Sequence, residues 1–209
     1  MPIKIQPLTK AQLVGYFRDY REAFPEWSVE HEVVLYRSAG PVKQLIGFEA
    51  LRSGAYRPSH SVEVAGTPEG GQVLFQFLDV RHREVLPREH AAKWPSVVKA
   101  MEDQFLPALH EPLEPTEVLR LGEESVVKWK VESPAAFSSL AALSAHLGDL
   151  DRSLRWCDRS DSRLASMGRE LAEWEVRLVS FNQHLRRAIQ KGRTCEVLED
   201  GTNRRPISS

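Results

Sequence analysis

Between Trp27 and Val80 the chain reads as four short β-strands separated by turn residues, and no other stretch constrains the fold as strongly. The first strand is expected over Ser28 to Arg37, where Val33 and Leu35 alternate with Val34 and Tyr36. Ser38-Ala39-Gly40-Pro41 is turn material, and the second strand returns near Val42 to Leu51 as an antiparallel hairpin partner. A third segment lies around Arg57 to Val64. Pro58 has no N–H to give a sheet ladder, so it belongs to an edge or a strand end. After the turn Gly66 to Gly71, the run Gln72 to Val80 is the most apolar of the four, with Val73, Phe75 and Phe77 on one face and Leu74 and Leu78 on the other.

Helices flank this block. Thr9-x-x-Gln12 has the form of a capping box, and Leu13, Phe17, Tyr20 and Phe24 follow at helical spacing on one face. Pro87 to Leu113 is helical in pattern, interrupted at Trp94-Pro95 and weakened at Pro107. Val127, Trp129 and Val131 alternate with Lys128 and Lys130, which predicts a fifth strand between Gly122 and Glu132. Ser133-Pro134 starts another helix, and Gly148-Asp149 separates it from a second to give a helical hairpin. Leu164, Met167, Leu171, Trp174, Leu178, Phe181, Leu185 and Ala188 then step by three and four as one unbroken helix. The fold class is α+β: an antiparallel sheet of four or five strands packed with helices, plus a C-terminal helical hairpin and a long amphipathic helix. The expected organisation is a sheet domain over 1–132, a helical region over 133–198 packed on it, and a disordered tail over 199–209.

Composition narrows function more than it names one. Apolar residues make up 42% and charged residues 27%, as in an ordinary folded protein. Lysine and arginine number 28 against 29 acidic residues, and both sides of His110 are balanced to within one charge. A general nucleic-acid coat takes its affinity from net positive charge that releases phosphate counterions, so nucleic acid is disfavoured as a partner. The N-terminus has no apolar core for a signal peptide and no window approaches a membrane span, so the expected location is the cytoplasm. Cys157 and Cys195 have no Cys-x-x-Cys partner or zinc spacing, and reduced thiols are expected at both.

No stretch carries a complete catalytic signature. His31-Glu32-Val33-Val34-Leu35 lacks the second histidine of a zinc protease helix and sits in a strand pattern. Gly66 to Gly71 lacks the lysine and hydroxyl of a phosphate loop, Asp158 to Asp161 lacks a calcium loop's glycine, and no Gly-x-Ser-x-Gly appears. Arg81-His82-Arg83 with Arg88 and His90 is the densest basic cluster, read as a solvated loop. Arg152, Arg155, Arg159 and Arg163 share a helical face with interleaved aspartates, which reads as a mixed-charge exposed face. The expectation is therefore no cofactor and no metal. The long stripe can form a coiled-coil dimer, but the bulk of Trp174 and Phe181 favours packing against the chain's own hairpin and a monomer.

That leaves the sheet. Arg37, Gln44, Glu49, Tyr56, Arg57 and His60 are the polar residues able to line one side of it, with Trp27, Tyr36 and Tyr56 as aromatic anchors. Arg37, Gln44, Tyr56 and Arg57 are the expected binding residues, on a solvent-facing side. The competing expectation is an enzyme acting on nucleic acid or nucleotides, its site assembled in three dimensions from Arg37, His60, His82 and His90. A third is a structural subunit assembled through the long helix.

The run Tyr36-Arg37-x-x-Gly40-x-Val42-x-Gln44-x-Ile46-x-Phe48 resembles the hairpin signature of small bacterial α+β proteins of a domain-of-unknown-function family. In that family a helix precedes the hairpin, and some members lie beside toxins. The resemblance covers residues 9 to 80 and implies a non-catalytic, protein-binding role as an immunity or accessory protein. Leu140 to Gly148 followed by Leu154-Arg155-Trp156 is similar to helical-hairpin repeats, but one copy makes no solenoid.

Overall fold

The computed structural model describes residues 8–30, 33–68, 71–79 and 84–203. Thr9 opens the first helix, α1 (Lys10–Ala23), as expected: Thr9 Oγ1 accepts from Gln12 N–H at 3.3 Å and Gln12 Oε1 accepts from Thr9 N–H at 2.9 Å. Its Phe17 and Tyr20, with Phe24 just beyond, are buried. The strands are β1 (Ser28–Glu30), β2 (Val34–Ala39), β3 (Val42–Ala50), β4 (Tyr56–Val64) and β5 (Gln72–Phe77), in the spatial order β1-β2-β3-β4-β5. This antiparallel meander has the expected strand count, but two of its members differ from expectation. The single strand predicted over Ser28 to Arg37 is two strands paired antiparallel, with Ser28 opposite Tyr36 and Glu30 opposite Val34. Pro58 is the third residue of β4, an interior strand, so it stands near the strand's start but occupies neither of the two expected places.

The predicted fifth strand at Gly122 to Glu132 is instead the end of a helix. After a 3₁₀ turn (Pro87–Glu89) and α2 (His90–Gln104), the chain forms α3 (Pro115–Lys128), with Pro115 in its first turn. Val118, Gly122 and Val126 step by four and are buried, whereas Val127 is 78% and Trp129 70% exposed. The two-residue alternation thus followed exposed apolar side chains, while the buried ones keep the helical period. The predicted interruption at Trp94-Pro95 is also absent, since α2 runs through Pro95. One backbone bond is lost there, and the helix still buries Val97, Ala100 and Met101.

The helical hairpin is α4 (Pro134–His146) and α5 (Leu150–Ala165), capped by Ser133 and Asp149. α4 is buried nearly all round, packed by α3, α5, α6 (Glu173–Gln190) and α7 (Thr194–Asn203). The stripe from Leu164 to Ala188 is not one helix. Gly168 takes φ +61° after α5 ends, and the chain restarts at α6, where the Glu175 carboxylate accepts from Ala172 N–H at 2.7 Å. α7 continues to Asn203, so the first five residues of the expected tail are helical.

Two compact units emerge from the contacts, where the sequence placed a boundary at residue 132. One holds 1–37, 44–61 and 75–112, the other 38–43, 62–74 and 113–209. The first is built on Tyr20, Phe24, Leu35, Ile46, Tyr56, Met101 and Phe105. The second is built on Val62, Phe137, Leu140, Leu143, Cys157 and Leu185. No helix of the described residues is long and apolar enough to cross a membrane.

Candidate functional site

Strand alternation decides where the expected binding residues go. Along β3, Val42, Gln44 and Ile46 are buried, and along β4 so are Tyr56, Pro58, His60, Val62 and Val64. Gln44, Tyr56 and His60 therefore turn into the core of the first unit, and Arg57, one residue out of phase, turns away. Arg37 joins the inward set. Its Nε donates to Gln44 Oε1 at 2.5 Å, while Nη1 and Nη2 donate to the carbonyls of Glu111 at 2.5 Å and Ala108 at 2.6 Å. Gln44 Nε2 donates to Pro107 O at 2.8 Å and lies 2.8 Å from His60 Nε2. The structure thus unites Arg37 and Gln44, with His60 as a third member, in a clasp on the segment 107–111.

His60 is held uncharged there. Burial pushes its pKa down to about 3, and the nearby Arg37 charge acts in the same direction against a smaller opposing contribution from the Gln76 side chain. A neutral ring accepts at Nε2 from Gln44, and it stacks on Phe105 with centroids 5.1 Å apart. Gln44 is fully buried, and the guanidinium of Arg37 is committed to three oxygens. Fixing a loop is what this cluster does chemically.

Tyr56 belongs to another group. Its hydroxyl lies 2.6 Å from His90 Nδ1, and His90 Nε2 lies 2.7 Å from Asp19 Oδ2, so the consistent arrangement is Tyr56 donating to His90 and His90 donating to Asp19. Tyr16 packs on both rings, with centroids 5.2 Å from Tyr56 and 4.4 Å from His90. Burial, then the proximity of Tyr16 and Asp19, raises the Tyr56 pKa and keeps its proton in place. The hydroxyl is fully buried, which puts it out of a substrate's reach. Of the residues expected for an assembled enzyme site, Arg37 and His60 meet through Gln44, His90 stands apart with Tyr56, and His82 lies outside the described residues, as do Arg81, Arg83 and His31-Glu32. Arg57, on the opposite sheet face, pairs with Glu49 at 2.7 Å and lies 3.8 Å over the Phe77 ring. The four expected residues do not share a solvent-facing side, because Gln44 and Tyr56 present no surface.

One open feature of the first unit is a place that the sequence marked as an anchor only through Trp27. A groove of about 780 Å³ runs beside α1 and the chain entering β1. Phe17 and Trp27, each 5% exposed, are buried in its wall, with Val14 and Val29 at 46% and 42%. Arg18, Arg21 and Glu22 supply its charge, and neither arginine has an ion-pair partner among the described residues. A second depression of about 560 Å³ lies in the other unit near Gly168, but its Arg169 is committed to Glu175 at 2.6 Å and its Asp161 to Arg186 at 2.6 Å. Among the described residues no group of three His, Cys, Asp or Glu stands close enough to hold a metal ion. Sequence periodicity missed the groove because Val14 and Arg18 lie on the face of α1 away from its buried stripe. No family model, curated protein or solved structure matches this chain.

Proposed function

We propose that this chain is a non-catalytic binding protein that receives a protein partner in the groove between α1 and β1. The observation that carries this reading is the groove itself: apolar walls partly open to solvent, with two arginines that have no ion-pair partner among the described residues. Exposed apolar surface rimmed by charge is the usual form of a protein contact site. The inward polar residues support the same reading from the other side, since Arg37, Gln44 and Tyr56 are spent on holding loops and helices in place. The role of immunity or accessory protein in a bacterial conflict system is the finer form of the proposal, supported by the hairpin resemblance alone.

The test is site-specific photo-crosslinking in the cell that makes the protein, with the reactive side chain at Val14 or Val29 and, as controls, at the exposed Val127 or Phe75. A defined adduct from the two groove positions, absent from the controls and lost when Arg18 and Arg21 are replaced by glutamate, is expected. Adducts of equal yield from all four positions would remove the groove from consideration.

A further inference from the structure

His110 stands in the loop after α2, on the segment that Arg37 and Gln44 hold through the carbonyls of Pro107, Ala108 and Glu111. Its ring lies against the end of α1, stacked on Phe24 with centroids 5.6 Å apart. Nδ1 is 3.2 Å from Glu26 Oε1, and Nε2 is 3.0 Å from Glu102 Oε1. One imidazole thus spans carboxylates from two elements, the turn that leads α1 into β1 and α2 itself.

An ionised carboxylate only accepts, whereas a neutral imidazole has a single N–H. Both contacts are hydrogen bonds only when the ring carries two protons and a positive charge. A neutral ring serves one carboxylate and turns a lone pair toward the other. Histidine ordinarily changes charge between about pH 5 and pH 8, so the choice between these two states falls in the physiological range. The other charges around the ring have their own placements. Lys99 and Asp103 flank Glu102 on α2 and pair with each other at 3.1 Å, and Arg21 and Glu22 of α1 line the groove. Arg37 donates to the carbonyl of Glu111, the residue after His110, and the Glu26 charge supports its own against the effect of burial.

The turn that holds Glu26 also shapes the groove. Pro25 and Trp27, on either side of Glu26, line it, and Trp27 N–H donates to Phe24 O at 3.1 Å to close the turn. We infer that His110 is a proton-controlled fastener of the groove wall. Charged, it ties Glu26 to Glu102 and fixes Pro25 and Trp27; neutral, it divides one N–H between two carboxylates and holds Glu26 only part of the time. This rests on the groove being the binding face and assigns it a regulation. A wall already fixed costs less to order on binding, so the partner is received more tightly on the acid side of the histidine range.

The experiment follows the whole, unliganded chain by NMR from about pH 5 to pH 8, reading the His110 ring, the Trp27 indole N–H and amide exchange at residues 26 and 27 corrected for its intrinsic pH dependence. The Trp27 signal is expected to move with the His110 titration, and the turn to open about threefold more often at the alkaline end. His110→Gln is expected to abolish both changes, which also separates them from any effect of His90, bonded to Tyr56 and to Asp19 of α1. Glu26→Gln offers an amide that donates or accepts, so it satisfies either ring state and is expected to keep the turn closed at every pH. A His110 ring that does not titrate in this range, a titration that Trp27 does not follow, or a pH dependence that survives in His110→Gln overturns the fastener. None of these results touches the groove as a binding face, because no ligand is present; absence of the groove crosslinks removes the partner and leaves the fastener standing.

Discussion

Gln44 serves three partners with one side-chain amide, accepting from Arg37 and donating to Pro107 and toward His60. Each buried polar group left without a partner costs about 1–3 kcal/mol, so this residue is worth more to the fold than its single amide implies. His60 turns the same cluster into a pH dependence. Its folded pKa of about 3 lies below the ordinary value near 6.5, so between those values the unfolded chain binds a proton that the folded chain does not. Stability from this group is therefore complete above about pH 6.5 and is lost as pH falls toward 3, by about 1.4 kcal/mol per unit. His146, pushed down by burial as well, contributes with the same sign. The urea midpoint is expected to fall between pH 7 and pH 4, and to fall less in His60→Gln; a His60 ring seen by NMR to titrate near 6.5 contradicts the account. Arg37 and Gln44 stood out in the sequence as polar residues in a strand. Their true partners, the carbonyls at 107–111, are backbone groups far along the chain that no residue type announces.

At the scale of elements, caps were legible and breaks were not. Thr9 with Gln12, Ser133 with Pro134, and Gly148 with Asp149 mark helix ends by local hydrogen bonding, and each lies where expected. The break at Gly168 was hidden because Leu164, Met167 and Leu171 continue the apolar spacing through a turn. Gly66 shows what a close approach demands. At φ +81° a side chain there is strained, and a Cβ would lie 2.4 Å from Leu198 O and 2.9 Å from Leu198 Cα in α7. Gly148 has φ +79° with nothing within 4 Å of a Cβ, so it isolates the backbone contribution. Gly148→Ala is expected to cost about 1 kcal/mol and Gly66→Ala about 2–4 kcal/mol by chemical denaturation, with faster amide exchange in 194–203 for the second alone. Equal losses would mean that α7 does not depend on that approach.

For the whole molecule, the second half of the long stripe is used internally, while Trp174 at its middle is exposed. Leu178, Phe181, Leu185 and Ala188 are all buried within the chain, which leaves no continuous apolar seam for a coiled-coil partner. Sedimentation equilibrium over a wide concentration range is expected to give the 23.7 kDa mass of one chain, and a mass that doubles with concentration contradicts this. Local pattern was enough for the α+β class, for the strand-rich block before residue 78 and for the helix starts at Thr9, Ser133 and Asp149, because residue period and capping chemistry act within a few positions. Tertiary structure alone decided that Arg37 and Gln44 clasp a loop, that Tyr56 joins His90 and Asp19, and that the groove opens at α1 and β1. Those outcomes depend on which face of a strand is buried and on which distant residues reach it, and a two-residue alternation fixes only that there are two faces.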